Sequence, residues 1–316
     1  MRSQSLRGRS KASGSSASGY AGGLAFALPR WLTSEHPIPW LFPIMAMFLA
    51  FGIYPLAYSL WLSFHKQNFF TRSMDFTGLL QWQAAFADPR MWSALGTTLT
   101  YTVGCLVIEL VLGLAIALLL DVDRPGYGIL RALMTLPLVV PPAVTGLMFL
   151  LLEDNQYGVL SYYLGAAGII DPNKPILGTT ALALPGVMLT DVWQWTPFMV
   201  LIFHAALRAL PREPFEAAAI DGAGPIAAFR HLTLPMLGKV IALAVLLRGI
   251  DLFRIYDYIY VMTSGGPGTA TETISYYAGK VFGLANFPYA ATLSIITLVV
   301  INLAALGFVR AARIRF

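Results

Sequence analysis

Residues 212–237 read REPFEAAAIDGAGPIAAFRHLTLPML, a stretch too polar for burial in a membrane although it separates two strongly apolar segments. Pro214 suits the first turn of a helix, where its missing N–H costs nothing, and the alanines at 217–219 favour helix. Gly222 can end that helix in a left-handed conformation, and Pro225 can begin a second one. The stretch therefore predicts a compact helix–turn–helix projection with a surface of small side chains.

The order of residues in this stretch resembles the EAA loop of bacterial ABC-importer permeases. The matching residues are Glu216, Ala217, Ala218, Asp221, Gly222, Ala223, Phe229 and Leu232-x-Leu234-Pro235. An alanine-rich linker between two membrane helices, the simpler interpretation, needs neither the acidic start, the Asp-Gly turn nor the closing Leu-Pro. In that family the loop is the coupling helix that docks into a cytoplasmic ATPase subunit. The resemblance implies that Glu216 anchors the loop and that its small side chains permit close docking.

The composition is typical of a membrane protein. Hydrophobic residues make up 57% of the chain and charged residues 12%, whereas about a quarter of the residues in a soluble domain are charged. A membrane-spanning helix needs about 20 apolar residues, so a chain of 316 residues has room for several. We expect an all-α membrane protein with about six transmembrane helices, which the resemblance places in the type I ABC importer permease architecture.

Six apolar segments qualify as spans: 39–62, 93–120, 129–152, 181–207, 236–262 and 288–309. The third contains Pro137, Pro141 and Pro142, which predict a kinked or broken helix. The transmembrane permease domain then covers residues 39–310, and the coupling loop lies at 212–235 within it.

The basic residues predict the orientation of these spans. Fourteen of the 21 Lys and Arg residues lie in the two termini, the connection between the second and third spans, and the EAA-like segment. The positive-inside rule therefore places both termini and the loop in the cytoplasm. The resemblance implies that the membrane is the inner membrane of a bacterium, which the chain crosses several times. Residues 1–38 are expected to be a disordered cytoplasmic tail and lead-in, and 311–316 a cytoplasmic tail. A cleaved signal peptide is disfavoured because no apolar core precedes residues 25–27.

Charged residues interrupt the fifth apolar segment, LLRGIDLFRIYDYIYVMTSGGP at 246–267. Four residues share one helix face by their spacing: Arg248, Asp251, Leu252 and Ile255. A charged side chain in mid-membrane costs about 2.5–3.5 kcal/mol and usually faces a partner or a wet cavity. Lining of a substrate cavity is one interpretation of the first pair, and an internal salt bridge is the other. The same alternatives apply to Arg254 and Asp257.

The end of this segment, TSGGP at 263–267, is similar to the carbohydrate-uptake, maltose-type branch of these permeases. In that branch this helix and the one before the EAA loop line the substrate cavity. The resemblance places cavity positions at or near Arg248, Asp251, Leu252 and Ile255. Those positions are usually uncharged in the family, so an anionic or strongly polar sugar is the hypothesis for this chain.

The fourth segment combines hydrogen-bonding groups with flat aromatic rings, a mixture that suits sugars. These cavity candidates are Asp191, Trp193, Gln194, Trp195 and Phe198. Tryptophans that anchor the outer end of the span are the equal alternative. Glu109 and His204 are isolated polar residues in predicted spans, and we expect them to pack against other helices.

The resemblance implies a permease subunit of an ATP-driven, binding-protein-dependent sugar importer that works by alternating access. Its implied partners are a second permease subunit, an ABC ATPase dimer, an extracytoplasmic substrate-binding protein, the sugar and membrane lipid, with no nucleic acid. The sequence has no GxxxxGK[ST] loop, so we expect no enzyme activity and no cofactor on this chain, with ATP and Mg bound by the ATPase. Its four histidines show no zinc-ligand spacing. The alternatives are an ion-coupled secondary carrier and an ABC permease for a non-sugar solute.

Overall fold

A computed structural model describes residues 38–67, 73–122 and 124–312. The predicted N-terminal tail up to residue 37 and the end of the C-terminal tail, residues 313–316, lie outside the described residues. The described chain divides into two units, with the boundary between Pro55 and Leu56. Helices dominate the described part of the chain, as the composition predicted.

The first described helix has three parts. It comprises α1 (Ile38–Phe48), a π-helical turn at Leu49–Ile53 and α2 (Tyr54–Leu62). From Leu41 to Pro55 nearly every side chain is exposed, and most of them are apolar. Exposed apolar side chains on all faces are typical of a helix whose environment is lipid or another protein.

The second unit begins with the end of α2 (residues 56–62), which is followed by a short antiparallel hairpin in which His65 pairs with Phe76. Its elements in chain order are β1 (His65–Gln67), β2 (Met74–Phe76), α3 (Leu80–Ala87), α4 (Pro89–Leu120), α5 (Tyr127–Met134), α6 (Leu136–Val139), α7 (Pro142–Leu152), α8 (Val159–Ala166), α9 (Thr180–Arg208), α10 (Glu213–Ile220), α11 (Pro225–Ala228), α12 (Leu234–Phe253), α13 (Ile274–Gly283) and α14 (Phe287–Ala311). Two further π-helical turns lie at Phe229–Thr233 and Ile259–Thr263.

Four helices in the described ranges are long and apolar enough to cross a membrane: Leu41–Leu62, Pro89–Leu120, Thr180–Arg208 and Phe287–Ala311. A fifth span is formed if the bent pair Tyr127–Val139 and Pro142–Leu152 counts as one. The helix α12 has 20 residues, three of which are charged: Lys239, Arg248 and Asp251. The exact number of six spans therefore stays a prediction.

The break predicted in the third apolar segment is present as a 98° bend between α6 and α7. It lies at Pro141 and Pro142, which cannot donate backbone hydrogen bonds. The Val140 carbonyl at the bend accepts a hydrogen bond from Nε2 of Gln194 on α9, at 2.6 Å. A neighbouring helix therefore satisfies a backbone group at the break, as membrane proteins require.

The predicted fifth span is also interrupted. The helix α12 ends at Phe253, and the chain is irregular at 254–256 before the last π-helical turn. The carbonyl of Ile255 in this gap accepts a hydrogen bond from Oγ1 of Thr273, at 3.1 Å. Irregular backbone at membrane depth is tolerated where protein groups satisfy it.

The helices α4, α9 and α12 pack around a common core. Gly113 of α4 lies so close to α9 that a Cβ atom there would be 2.4 Å from Cβ of Met199. Buried Tyr101 and Cys105 of α4, Val187 of α9 and Leu252 of α12 belong to one apolar cluster. This packing brings polar residues of three separate sequence segments face to face.

A polar network joins the start of α4 to the segment before α13, which was predicted only as a loop. Arg90 forms a bidentate ion pair with Glu272, at 2.8–3.0 Å. Asp88 accepts hydrogen bonds at 2.7 Å from the hydroxyls of Tyr277 and Tyr289. Burial raises the pKa of Tyr277, as does its hydrogen bond to Asp88, and the value reaches about 12. The hydroxyl therefore stays a donor at physiological pH.

Glu153, just after α7, is buried without a partner. Its side chain packs against Gly186 of α9, and neither carboxyl oxygen has a hydrogen-bond partner among the described residues. Burial raises its pKa from the ordinary value of 4.5 to about 7. The group is therefore held partly protonated near neutral pH.

Candidate functional site

The first candidate site is a group of charged side chains, the Arg248 cluster, formed by Glu109, Asp191, Arg248 and Asp251. Nε and Nη2 of Arg248 donate to the two carboxylate oxygens of Glu109, at 2.8 and 2.9 Å. Nη2 also donates to Asp191, and Nη1 donates to Asp251 at 2.6 Å. Arg248 is only 3% exposed, so one guanidinium group ties α4, α9 and α12 together within the apolar interior.

Two aromatic residues complete the surroundings of the cluster. The hydroxyl of Tyr101 donates to Asp191 at 2.6 Å. The indole ring of Trp195 lies 4.7 Å from the Arg248 guanidinium carbon, a cation–π contact. A hydrogen-bonded and stacked guanidinium of this kind is immobilised in one orientation.

Asp251 connects this buried cluster to the surface. Its side chain is 34% exposed, and its second oxygen accepts from Nη2 of Arg254 at 3.0 Å. Arg254 is itself 72% exposed and lies just beyond the end of α12. The i, i+3 pair predicted for Arg248 and Asp251 is therefore present, whereas Arg254 contacts Asp251 rather than Asp257.

The other cavity candidates lie in different surroundings. Gln194 accepts a hydrogen bond from the hydroxyl of Tyr258 and donates to Val140. Trp193 packs against Phe149 with ring centroids 5.4 Å apart. Leu252 is fully buried, Ile255 is half-buried, and Phe198 contacts Trp195 edge-on with centroids 6.0 Å apart. The structure brings Asp251, Asp191 and Trp195 into direct contact with Arg248. Gln194 is instead bonded to Tyr258 and Val140.

Glu109 packs against another helix, as expected, but the sequence did not identify its partner there. It forms the bidentate ion pair with Arg248 of α12. A glutamate and an arginine in two different predicted spans were the available signal, since buried charges are nearly always paired. Their separation in the sequence gave no spacing rule by which to join them.

The second candidate site is the coupling loop, residues 212–235. It forms two short helices, α10 and α11, as predicted. Gly222 has a φ of 78°, the N–H of Ala223 bonds to the carbonyl of Ala218, and that of Gly222 to Ala219. These two bonds around a left-handed residue form a Schellman motif, which ends α10 and reverses the chain.

The loop presents an exposed surface. Glu216, Ala217, Asp221, Gly222, Ala223 and Pro235 are exposed, while Ala218 and Phe229 are half-buried. Two isoleucines on either side of the turn, Ile220 and Ile226, are 87% and 82% exposed. Sequence reasoning did not single them out, although apolar residues on a polar loop are typical of a docking surface.

The loop is firmly attached to the helices that carry it. After α11 the chain continues without a break through the π-helical turn into α12, and Pro235 lies in the first turn of α12. At the other end, Arg208 pairs with Asp121 at 2.8 Å. A groove of about 560 Å³ lies between these helix ends and α10, lined by Arg208, Phe215 and Glu216 among others. The loop is therefore continuous with the helix that carries Arg248.

Taken together, the apolar helices, the broken spans and the exposed polar loop define a multi-pass membrane protein of the transporter class. The chain matches the family model "Binding-protein-dependent transport system inner membrane component" over residues 109–315. The chain belongs to this family, and it is a permease subunit of a binding-protein-dependent ABC importer in the inner membrane, as the sequence predicted.

Curated relatives cover most of the chain. It is 33% identical to the trehalose/maltose transport system permease protein MalF of Thermococcus litoralis, over 87% of this chain and 92% of the relative. It is 34% identical to the trehalose transport system permease protein SugA of Mycobacterium tuberculosis, over 74% and 75%. It is 31% identical to the sn-glycerol-3-phosphate transport system permease protein UgpA of Yersinia enterocolitica, over 89% and 95%.

Solved structures share the fold. A bacterial ABC transporter that imports the acidic polysaccharide alginate matches with a TM-score of 0.76 at 20% identity, over 90% of this chain and 95% of that one. The same alginate transporter in complex with a periplasmic protein carrying an alginate pentasaccharide gives 0.75 at 19% identity, over 90% and 94%. The type I importer architecture expected from the coupling loop is therefore confirmed at the level of the fold.

Proposed function

We propose that this chain is the permease subunit through which a sugar crosses the membrane, driven by ATP that a separate ATPase hydrolyses. The relatives named for trehalose and maltose support a sugar as the substrate. ATP and Mg bind the ATPase, and this chain contributes no catalytic group. Both termini and the coupling loop lie in the cytoplasm, an orientation supported by the distribution of basic residues.

The coupling loop is the part that meets the ATPase. The observation that carries this role is the exposed, rigidly turned surface around Gly222, flanked by Ile220 and Ile226. Small side chains let the partner approach closely, the isoleucines supply apolar contact area, and Glu216 supplies a charge for an Arg or Lys on the ATPase. Because the loop continues into α12, closure of the ATPase pair pulls on the helix that holds the Arg248 cluster.

The substrate path runs along the faces of α9 and α12 that meet at the Arg248 cluster. Its proposed lining comprises Asp191, Trp193, Gln194, Trp195, Phe198, Arg248, Asp251, Leu252 and Ile255. Trp195 and Phe198 offer flat faces for sugar rings. Asp251, which is partly exposed at the end of α12, offers polar contact for hydroxyl groups.

Uptake into proteoliposomes tests this function. The intact transporter is reconstituted with its binding protein, ATP is enclosed on the ATPase side, and radiolabelled trehalose and maltose are supplied. Accumulation that requires ATP and survives collapse of the proton gradient is expected. Accumulation driven by an ion gradient without ATP would overturn the proposal in favour of a secondary carrier.

A further inference from the structure

The guanidinium of Arg248 is already bonded to carboxylates of this chain. An arginine guanidinium has five N–H donors, and four of those in Arg248 donate to Glu109, Asp191 and Asp251. One face of the group is covered by Trp195. The guanidinium therefore has little capacity left to bind an anionic group on a substrate.

The balance of charge around it is negative. Glu109, Asp191 and Asp251 carry three carboxylates, while Arg248 and Arg254 carry two guanidinium groups. The formal sum of the five side chains is one negative charge. In an interior of low dielectric constant a net charge acts strongly on a second charge nearby. A sugar carrying a carboxylate or sulfonate would be repelled there, whereas an uncharged sugar would not.

We propose that Glu109 sets the charge selectivity of the substrate path, so that the transporter accepts uncharged sugars and rejects anionic ones. This inference rests on the proposed function, because it requires that the faces of α9 and α12 at the Arg248 cluster line that path. Glu109 lies on α4 and acts through Arg248, so it is a positioning residue. This inference differs from the hypothesis of an anionic or strongly polar sugar, because Arg248 is bonded to three carboxylates rather than to Asp251 alone.

Direct binding to the intact transporter tests the inference without the selectivity of the binding protein. The complex of this chain with its partner permease and ATPase is placed in lipid nanodiscs. Saturation-transfer NMR then compares matched probes: glucose with glucuronate, and galactose with galacturonate. For the wild type we expect uronate signals at least about fivefold weaker than those of the neutral sugars, because the net negative charge lowers the affinity for the uronates relative to the neutral sugars.

The variant Glu109→Gln keeps the shape of the side chain and removes one negative charge. We expect its uronate signals to rise to within about twofold of the neutral sugars, since one of the repelling charges is gone. Asp257→Asn is the matched control, because it also removes one negative charge. Asp257 is exposed and does not contact Arg248. Its ratio of uronate to neutral signals should equal that of the wild type.

Two results would overturn the inference, and a third would overturn the proposed function. Equal uronate and neutral signals in the wild type would overturn it, and this comparison remains decisive if Glu109→Gln fails to assemble. A rise of uronate binding in Asp257→Asn as large as in Glu109→Gln would also overturn it. Loss of a negative charge away from Arg248 would then have the same effect as loss of Glu109. Absence of any sugar signal, together with an ATPase that no sugar-loaded binding protein stimulates, would instead overturn the proposed function itself.

Discussion

Arg248 and Glu109 are 139 residues apart in the chain, yet they form a bidentate ion pair with distances of 2.8 and 2.9 Å in the buried core. Removing one partner of a buried pair leaves an uncompensated charge, at a cost of about 3–5 kcal/mol. We therefore expect Arg248→Gln to lower the free energy of unfolding by this amount. Glu109→Gln should cost less, because Asp191 and Asp251 remain bonded to Arg248.

A double-mutant cycle measures how strongly these two residues are coupled. The variant carrying both substitutions should lose less stability than the sum of the single losses, because each single change leaves a buried charge unpaired. Denaturant unfolding in detergent micelles gives the four free energies. Strict additivity would contradict a direct interaction between the two side chains.

The left-handed conformation of Gly222 leads to a prediction about transport. No atom of the described residues lies within 4 Å of the position that a Cβ would occupy, so a Cβ there meets no obstacle among them. We expect Gly222→Trp to abolish ATP-driven uptake by blocking the ATPase while the chain still inserts into the membrane. Immunoblots of membranes together with uptake assays separate these two effects.

Smaller substitutions at the same position provide the controls. Gly222→Asn should retain most uptake, since Asn adopts the left-handed region readily, whereas Gly222→Ala should cost about 1–2 kcal/mol in backbone strain. Normal uptake by Gly222→Trp would exclude the turn from the docking surface.

Buried Glu153 predicts a pH dependence of stability. Its pKa is raised from 4.5 to about 7, so the folded state binds more protons than the unfolded state within this interval. The contribution of Glu153 is therefore most favourable below pH 4.5 and is lost as the pH rises to about 7. The full loss is about 3 kcal/mol, since one pKa unit corresponds to about 1.4 kcal/mol.

Thermal unfolding of the purified protein between pH 5 and 8 checks this expectation. Glu153→Gln should abolish this part of the pH dependence and should be more stable than the wild type at pH 7.5. Asp154→Asn, a change at the exposed neighbouring carboxylate, should leave the pH profile close to that of the wild type. Parallel profiles for the wild type and Glu153→Gln would show that Glu153 does not titrate in this range.

The ion pair between Arg90 and Glu272 is unevenly buried, with side-chain exposures of 40% and 2%. Arg90→Ala would leave the buried carboxylate without a partner, whereas Glu272→Gln would leave a guanidinium that reaches water. We expect the first change to cost about 2–4 kcal/mol and the second about 1 kcal/mol. Melting temperatures of the two variants measured side by side test this order, and a larger loss for Glu272→Gln would reverse it.

The sequence was most informative where its signals were local. Proline at the start of α10 and glycine at its end predicted the turn now seen at Gly222, because both residues act through their own backbone geometry. Apolar runs predicted the ends of the four helices that are long and apolar enough to cross a membrane to within four residues, since the thickness of the bilayer sets their length. Adjacent prolines likewise predicted the bend before α7.

Sequence reasoning was weaker where distant residues meet. The pairing of Glu109 with Arg248 depends on how α4 packs against α12, which no local spacing expresses. The helices α8 and α13 were read as loops because they are short and lack a long apolar run. Beyond the end of α12 at Phe253, Thr273 donates to the carbonyl of Ile255, again a contact between distant segments.

The most direct test of the central claim is to purify this chain by affinity from its native membrane and to assay the eluate for ATPase activity. The account predicts that a second permease and an ATPase co-purify, and that one sugar-loaded binding protein raises the rate of hydrolysis. Recovery of the chain alone, with sugar uptake driven only by an ion gradient, would contradict it.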